Sequence, residues 1–299
     1  MNNPIKYRLG EVVNLTKWDR DLFSFEDILV SKCRSQHSVL CVGLDPDPKL
    51  MAISDTFEFN KAIIDSTLDL VCGYKPNLAF YEAQGIQGLI ALQNTVEYIR
   101  SLDPGIIIIG DGKRGDIGSS NAKYADALFK VWGFDAATVN GYGGGETLEP
   151  FLNYKDKGTF LWCRSSNPGA AELQDVEIIQ KDSPSKFFEY VSSRAQIWNR
   201  AGNLGLVAGA TRSSDLVSLR NHCPSMPILI PGVGSQSGDL ESSVRLGKSF
   251  PEPKLIITAS RSIIYASSNK NDFSVKSRNA ATQLRDNINR VLAEENIWA

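Results

Sequence analysis

Short apolar runs alternate with longer amphipathic stretches along most of the chain. Near-continuous apolar runs are typical of strands that are buried on both faces of a parallel sheet. The helical periodicity between them predicts repeated strand–helix units. The predicted helices lie near residues 57–69, 82–101, 119–132, 146–153, 184–202, 213–221, 237–247 and 271–295. The predicted strands are Ser38–Leu44, Leu70–Pro76, Gly105–Lys113, Phe134–Asn140, Gly158–Arg164, Leu204–Ala208, Pro227–Ile230 and Lys254–Ala259.

Eight strand–helix units predict an α/β fold of the (β/α)₈ TIM-barrel type, formed by residues 38–299 as a single catalytic domain. A doubly wound open sheet is the competing architecture, which periodicity alone does not exclude. Residues 1–37 are predicted to be a helical extension that packs on the barrel, with Ser24 as the N-cap of its helix. The polar stretch 167–185 predicts a long loop after the fifth strand, with an insertion in its distal half.

Composition and charge narrow the range of functions. The chain has 299 residues, 42% of them hydrophobic, and a net charge of −2, which is typical of a globular protein and argues against nucleic-acid binding. The start of the chain does not resemble a secretory signal, and Ile106–Ile109 is far too short to span a membrane, so a cytoplasmic location is expected. Five widely spaced cysteines without a Cys-x-x-Cys pair argue against disulfides and a zinc site, and those in the strands are expected to be buried.

Charged residues stand at the ends of the first three predicted strands. Asp111 and Lys113 are two residues apart, so a regular strand would direct both side chains to one face, and Asp116 follows in the next loop. Because the carboxyl ends of barrel strands converge at the active-site face, these residues are expected to meet Asp45 and Lys75 in an alternating array of charges. The alternative is an ordinary solvated ion pair at a strand end.

Two later loops predict a phosphate site. Gly232, Gly234 and Gly238 follow the seventh strand, and their backbone amides can approach an anion closely. Arg261 follows the eighth strand and can clamp a phosphate with two hydrogen bonds, and Gln236 can add a neutral donor. In barrels of this type the loops after strands seven and eight commonly bind phosphate.

A series of motifs in the same order makes a family resemblance specific. The stretch from Asp111 to Gly118 resembles the Asp-x-Lys-x-x-Asp signature of orotidylate decarboxylases, and the Arg-Gly pair inside it resembles the long-chain bacterial-type branch (type 2). Gly112, Gly141 and Ser260 depart from the usual family pattern. The other matching motifs are Val42–Pro46, Lys75–Phe80, Thr138–Asn140 with Gly143–Gly145, Arg164–Gly169, Gly209–Thr211, Pro231–Asp239 and Ser260–Tyr265.

The resemblance implies an enzyme that converts orotidine 5′-monophosphate to UMP and CO₂, the last step of de novo UMP synthesis, without a cofactor or metal. Lys113 would stabilise the carbanion and protonate C6, with Asp111 near the departing carboxylate and Asp116 and Lys75 completing the array. The loop Gly232–Asp239 would act as a lid. Asp45 and Lys75 would bind the ribose, and Ser165 or Ser166, preferably Ser166, would contact the pyrimidine. The other implied substrate-binding residues are Ser120, Asn167, Pro231, Gln236, Ser260 and Arg261.

The resemblance also implies a homodimer in which Asp116 and Ser120 reach the neighbouring site. Two alternatives remain at this point. One is a Mg²⁺-dependent sugar-phosphate enzyme that shares Asp-x-Lys-x-x-Asp but needs a glutamate ligand near the second strand, where this chain has Lys75 and, further on, Glu82. The other is a phosphate-binding barrel without catalysis.

Overall fold

The computed structural model describes residues 23–180, 183–209, 213–232 and 240–298. Within these ranges eight parallel strands close into a barrel in chain order, and the last strand pairs with the first. This confirms the predicted (β/α)₈ barrel and rules out the open sheet. The barrel strands are β1 (Leu40–Leu44), β2 (Gly73–Pro76), β3 (Ile107–Arg114), β4 (Ala136–Val139), β5 (Gly158–Arg164), β8 (Leu204–Ala208), β9 (Ile228–Pro231) and β10 (Leu255–Ala259).

Helices surround the barrel close to their predicted positions. The helix of Gly118–Asp126 continues into a π-helical turn over Ala127–Val131, and short 3₁₀ turns cover Leu68–Leu70 and Pro168–Ala170. The helices are α1 (Phe25–Gln36), α2 (Thr56–Thr67), α3 (Leu78–Glu82), α4 (Gly85–Leu102), α5 (Gly118–Asp126), α6 (Gly145–Leu152), α7 (Ala171–Gln174), α8 (Phe187–Trp198), α9 (Ser213–His222), α10 (Leu240–Gly247), α11 (Arg261–Ile264) and α12 (Phe273–Glu294).

The segment after β5 differs from the prediction. An antiparallel hairpin of β6 (Glu177–Gln180) and β7 (Ser183–Lys186) occupies the distal half of the expected loop. The prediction of a helix from residue 184 was therefore wrong at its start, because residues 183–186 pair with 177–180 and α8 begins only at Phe187. Strands of four residues, Glu-Ile-Ile-Gln and Ser-Pro-Ser-Lys, are too short to show a clear hydrophobic periodicity.

Helix α1 packs against the amino-terminal side of the barrel. Ser24 caps it as expected, since its hydroxyl accepts a hydrogen bond from the Asp27 amide and the Asp27 carboxylate accepts one from the Ser24 amide. Phe25 is buried with its ring edge-on to Phe160 of β5, at 5.9 Å between ring centroids. This contact seals one end of the barrel. Residues 1–22 of the predicted extension lie outside the described ranges.

The core fills the barrel and the layer between strands and helices. The five cysteines are buried free thiols, as expected for those in strands. In the described parts of the chain, every helix is too short or too polar to cross a membrane. Among the buried residues, Lys75 and Asp111 carry charge at the carboxyl ends of β2 and β3.

Candidate active site

The carboxyl ends of β2 and β3 hold a buried array of alternating charges. Lys75 Nζ donates to Asp111 Oδ2 at 2.5 Å, and Lys113 Nζ donates to Asp111 Oδ1 at 2.7 Å. The side chains of Lys75 and Asp111 are only 5% and 8% exposed, whereas that of Lys113 is 36% exposed. The array therefore has a buried base and one lysine that faces the open mouth of the barrel.

The array holds its charges over a wide pH range. Burial alone would raise the pKa of Asp111, but Lys75 and Lys113 outweigh it and keep that pKa well below the usual range of a carboxyl group. Burial alone would lower the pKa of Lys75, but Asp111 and Asp45 outweigh it and raise that pKa above its usual range. The two groups therefore stabilise each other in their charged forms.

A bulge in β3 sets the position of Lys113. Gly110 pairs with Ala137 of β4, but Arg114 pairs with Val139, so the register shifts between them. Lys113 has a φ of +43°, in the left-handed region that side chains rarely adopt. The simple two-residue alternation expected for Asp111 and Lys113 is thus interrupted, and a bulged backbone brings their side chains together.

Thr138 of β4 stabilises this bulge through hydrogen bonds to Asp111 and Lys113. Its hydroxyl donates to Asp111 Oδ1 at 2.8 Å and accepts from the Lys113 amide at 3.0 Å. Both ends of the bulge are therefore tied to one buried side chain. Thr138 was not among the predicted site residues, although a polar residue near a strand end within the Thr138–Asn140 motif was a usable signal.

A cavity of about 210 Å³ opens beside the array. The cavity extends from the ends of β9 and β10 across β1 to β2 and β3, and it includes the described residues among those predicted to bind ribose and phosphate. Its lining residues are Asp45, Lys75, Asn77, Asp111, Pro231, Gly232, Thr258, Ala259, Ser260 and Arg261.

Two groups at this cavity are available to a ligand. Asp45 Oδ1 is buried and accepts no hydrogen bond from any residue that the structure describes. Arg261 is exposed at the amino terminus of α11, and its guanidinium takes part in none of the ion pairs or hydrogen bonds found in the described ranges. A buried oxygen without a donor and a solvent-facing guanidinium are suited to a hydroxyl and an anion, respectively.

Ser260 and the backbone of β1 fit closely. A Cβ on Gly43 would lie 1.9 Å from Ser260 Oγ, so the serine side chain occupies the space that glycine leaves. Gly112 similarly faces Leu78, whose Cδ1 would lie 2.8 Å from an added Cβ, and Gly141 faces Leu161 at 2.6 Å. A side chain at Gly112 or Gly141 would therefore meet a leucine in this chain.

The predicted pyrimidine-binding residues lie away from this cavity. Ser165 donates its hydroxyl to Asn167 and its amide to Gln174 Oε1. Ser166 packs against Gly209, where an added Cβ would lie 2.7 Å from Ser166 Cβ. The Ser165 hydroxyl is therefore engaged locally, and among the described contacts the Ser166 hydroxyl is left for a ligand.

Asp116 and Ser120 are not joined to the array within one chain. Asp116 is exposed, its carboxylate accepts from the Ile117 amide at 2.7 Å, and no ion pair in the described ranges joins it to a lysine. Ser120 is half-buried on α5. The expectation that Asp116 completes the array is therefore not met inside a single chain. Gln236, with Gly234 and Gly238, lies outside the described residues, as does most of the predicted lid.

The comparisons with known proteins agree with this geometry. The model of the orotidine 5′-phosphate decarboxylase / HUMPS family matches residues 38–273. The chain belongs to this family. An orotidine 5′-phosphate decarboxylase from Thermomicrobium roseum is 45% identical over 278 residues, which cover 91% of this chain and 97% of that protein.

Another bacterial relative and two solved structures extend the likeness. The orotidine 5′-phosphate decarboxylase of Dehalococcoides mccartyi (strain 195) is 46% identical over 85% of this chain and 93% of its own. The structure of Leishmania donovani OMP decarboxylase superposes with a TM-score of 0.78 at 34% identity, covering 90% of this chain and 98% of that one. A putative orotidine-monophosphate decarboxylase from Toxoplasma gondii gives 0.82 at 31% identity, covering 91% and 97%. The bacterial relatives are consistent with the bacterial-type branch.

Proposed function

We propose that this chain decarboxylates orotidine 5′-monophosphate to UMP, with Lys113 as the group that stabilises the carbanion and supplies the proton. The observation that carries the proposal is the Lys75–Asp111–Lys113 array beside a cavity with an open anion-binding end. Relatives with 39–46% identity are named orotidine 5′-phosphate decarboxylase.

The cavity suits the ribose 5′-phosphate part of the substrate. Arg261 would hold the phosphate together with the backbone at Pro231–Gly232 and Ser260. Asp45 Oδ1, which lacks a donor in the described structure, would accept from a ribose hydroxyl, and Lys75 would donate to another. The phosphate and ribose would then direct the base past Asp111 towards Lys113.

The reaction breaks the bond between C6 and the carboxylate carbon. The electron pair stays on C6 while CO₂ leaves, and a proton from Lys113 Nζ then forms the new C6–H bond. The lysine regains its proton from water. The ammonium acts twice, because its positive charge opposes the developing negative charge before it gives up the proton. Asp111 keeps the ammonium in place through its 2.7 Å hydrogen bond.

The geometry favours this reaction over the Mg²⁺-dependent alternative. Both oxygens of Asp111 are bonded to lysine ammonium groups, so this carboxylate is already neutralised. Glu82, the glutamate considered as a ligand, is exposed and pairs with Arg114. A hard cation needs free carboxylate oxygens, and neither group offers a full set.

The predicted homodimer is part of the same proposal. Exposed apolar side chains follow β2, β3 and β4: Ile86, in the first turn of α4, is 74% exposed, Ile117, just before α5, is 68% exposed, and Tyr142, in the loop after β4, is 90% exposed. Exposed apolar residues clustered on one sector indicate a contact surface. Asp116 lies next to Ile117, so a twofold contact there would bring Asp116 and Ser120 towards the partner's mouth.

The direct test is the loss of orotidylate ultraviolet absorbance when purified protein is added in the presence of excess chelator. Wild-type protein is expected to consume the substrate and form UMP, and the Lys113→Ala variant is expected to lose about 10²–10⁴-fold in kcat. Turnover that requires added Mg²⁺ would instead support the sugar-phosphate class. Near-normal turnover of Lys113→Ala would overturn the role given to this lysine.

A further inference from the structure

Trp162 is the one residue of β5 that is exposed, in a strand whose other residues are buried. Its side chain remains 39% exposed. The ring reaches across β4, and its centroid lies 6.0 Å from Lys113 Nζ of β3. The indole therefore stands at the mouth of the barrel, beside the lysine that faces the open site.

The cavity of about 210 Å³ beside the charged array occupies only one half of the barrel mouth. Its lining comes from the ends of β9, β10, β1, β2 and β3. Lys113 and Trp162 lie beyond Asp111, on the half formed by β3, β4 and β5. A nucleotide with its phosphate and ribose in the cavity would extend its base into this second half.

We propose that Trp162 contacts the substrate and forms the apolar wall of the base-binding half of the site, beside Lys113. A pyrimidine is flat and aromatic, and an exposed indole offers it a face or edge of matching polarity. The proposal rests on the proposed function, because that function supplies the nucleotide.

A wall of this kind would also affect the lysine. An indole covering the ammonium excludes water from that side, and charges act more strongly on each other where water is absent. The nearby ring face also attracts a cation. Trp162 would therefore help Lys113 act on C6 as well as help to hold the base.

The probe is UMP, followed by tryptophan fluorescence and by calorimetry. UMP is expected to change the emission of the wild type and of a Trp198→Phe control, whose altered ring packs against Gly145 on the outer helices. The change is expected to disappear in Trp162→Phe, although calorimetry still detects UMP binding by that variant. Trp162→Ala is expected to bind UMP about 10-fold more weakly than the wild type, in line with the loss of one stacked base.

Inorganic phosphate provides the readout that separates a base contact from general damage. As a competitive inhibitor it uses only the Arg261 half of the site, so its inhibition constant is expected to be the same in Trp162→Ala and wild type. Equal losses for UMP and phosphate would overturn the proposal. It would also be overturned by unchanged UMP affinity in Trp162→Ala, or by a full fluorescence response in Trp162→Phe.

The orotidylate assay keeps this proposal separate from the proposed function. If the wild type turns over orotidylate but any result for a Trp162 variant contradicts its expectation, only the proposed role of Trp162 is overturned. If UMP binding depends on Trp162 but the wild type does not turn over orotidylate, the proposed role of Trp162 is supported and the proposed reaction is overturned. Failure of the wild type to bind UMP would overturn both.

Discussion

Lys113 combines the proposed chemistry with an unfavourable backbone conformation. Its φ of +43° is adopted by few residues other than glycine, because the Cβ approaches the following carbonyl. The hydrogen bonds of Thr138 and the ion pair with Asp111 hold the backbone in this state. Such local strain persists where the surrounding structure determines the conformation.

The backbone cost at this position can be separated from the chemistry. Lys113→Gly and Lys113→Ala both remove the ammonium, so both are expected to lose turnover. Glycine relieves the left-handed strain and alanine does not, so the glycine variant is expected to be more stable by about 1 kcal/mol. Urea unfolding of the two variants measures this difference. An alanine variant of equal or greater stability would show that the strain is absent in solution.

The depressed pKa of Asp111 predicts how kcat depends on pH on the acid side. Its native pKa is depressed, so its stabilising effect is complete above the unfolded value of about 3.9 and is lost only as the pH falls through the lower native value. We therefore expect kcat at saturating substrate to be flat from about pH 5 to 7, since Asp111 stays ionised there. The substrate phosphate titrates near pH 6 and affects kcat/KM instead.

The measurement is a set of progress curves in overlapping buffers, with circular dichroism of the enzyme in each buffer to verify folding. An acid limb in kcat within this range, in folded protein, would contradict the depressed pKa of Asp111.

At the scale of elements, Tyr265 joins the end of α11, the helix that carries Arg261, to the segment after β1 that carries Asp45. The Tyr265 hydroxyl, directly after α11, donates to the Asp45 carbonyl at 2.6 Å and accepts from the Asp47 amide at 2.6 Å. Burial raises the pKa of Tyr265 to about 12, so the hydroxyl keeps its proton at physiological pH. Arg261 and Asp45 are thereby held at a constant separation.

Tyr265→Phe is expected to keep the ring packing on Phe59 and lose both hydrogen bonds. We expect UMP affinity to fall about 10-fold and stability to fall by about 1–3 kcal/mol, because two backbone groups lose a partner. Calorimetry with UMP and urea unfolding measure the two effects. Tyr154→Phe, which removes a hydrogen bond to Asp126 far from the mouth, is the matched control and should bind UMP normally. Equal UMP affinity in both variants would contradict the coupling.

The hairpin after β5 is anchored by a buried arginine. Arg164, 3% exposed, pairs with Asp215 of α9 at 2.7 Å and with Asp175 at 2.9 Å. A register shift between Trp162 and Arg164 turns the arginine away from the barrel mouth. This places Arg164 among the outer helices while Trp162 stays at the site.

Arg164→Met should destabilise the protein by about 3–5 kcal/mol, because Asp215 would remain buried without its cation. The matched control is Arg278→Met, which breaks an exposed pair with Asp69 and should cost about 0–1 kcal/mol. Urea unfolding of both variants tests the contrast. Similar small losses would mean that the Arg164 network does not anchor this segment.

At the scale of the whole molecule, the proposed dimer makes each site depend on two chains. If Asp116 acts in the partner's site, a mixed dimer of a Lys113→Ala chain and an Asp116→Ala chain contains one site with both changes and one with neither. Random exchange between the two inactive variants should therefore restore about one quarter of the wild-type activity, as expected for a twofold assembly.

Activity of mixtures after subunit exchange, with each variant alone as the control, tests this arrangement. No recovery after exchange, verified by co-purification of the two variants carrying different tags, would place Asp116 in its own site. An Ile117→Asp variant should dissociate in sedimentation experiments, because a charge would stand in the apolar contact.

The sequence alone predicted the barrel and most of the charged groups at its mouth. Apolar runs of strand length mark strands buried on both faces, and charges directly after them must lie at the carboxyl edge. Asp45, Lys75 and Asp111 were located on this basis, and the structure places them together at one cavity. These inferences need only local periodicity and the rule that parallel strands end on one side.

Only the tertiary structure decided how that mouth is divided and shaped. The bulge that turns Lys113, the Thr138 hydroxyl that fastens it and the exposure of Trp162 depend on register between strands that are distant in the chain. The pairing of residues 177–180 with 183–186 likewise follows from no hydrophobic pattern. Composition and local periodicity determined which elements form, whereas packing across the barrel determined which side chains meet, because those contacts join residues that no local pattern relates.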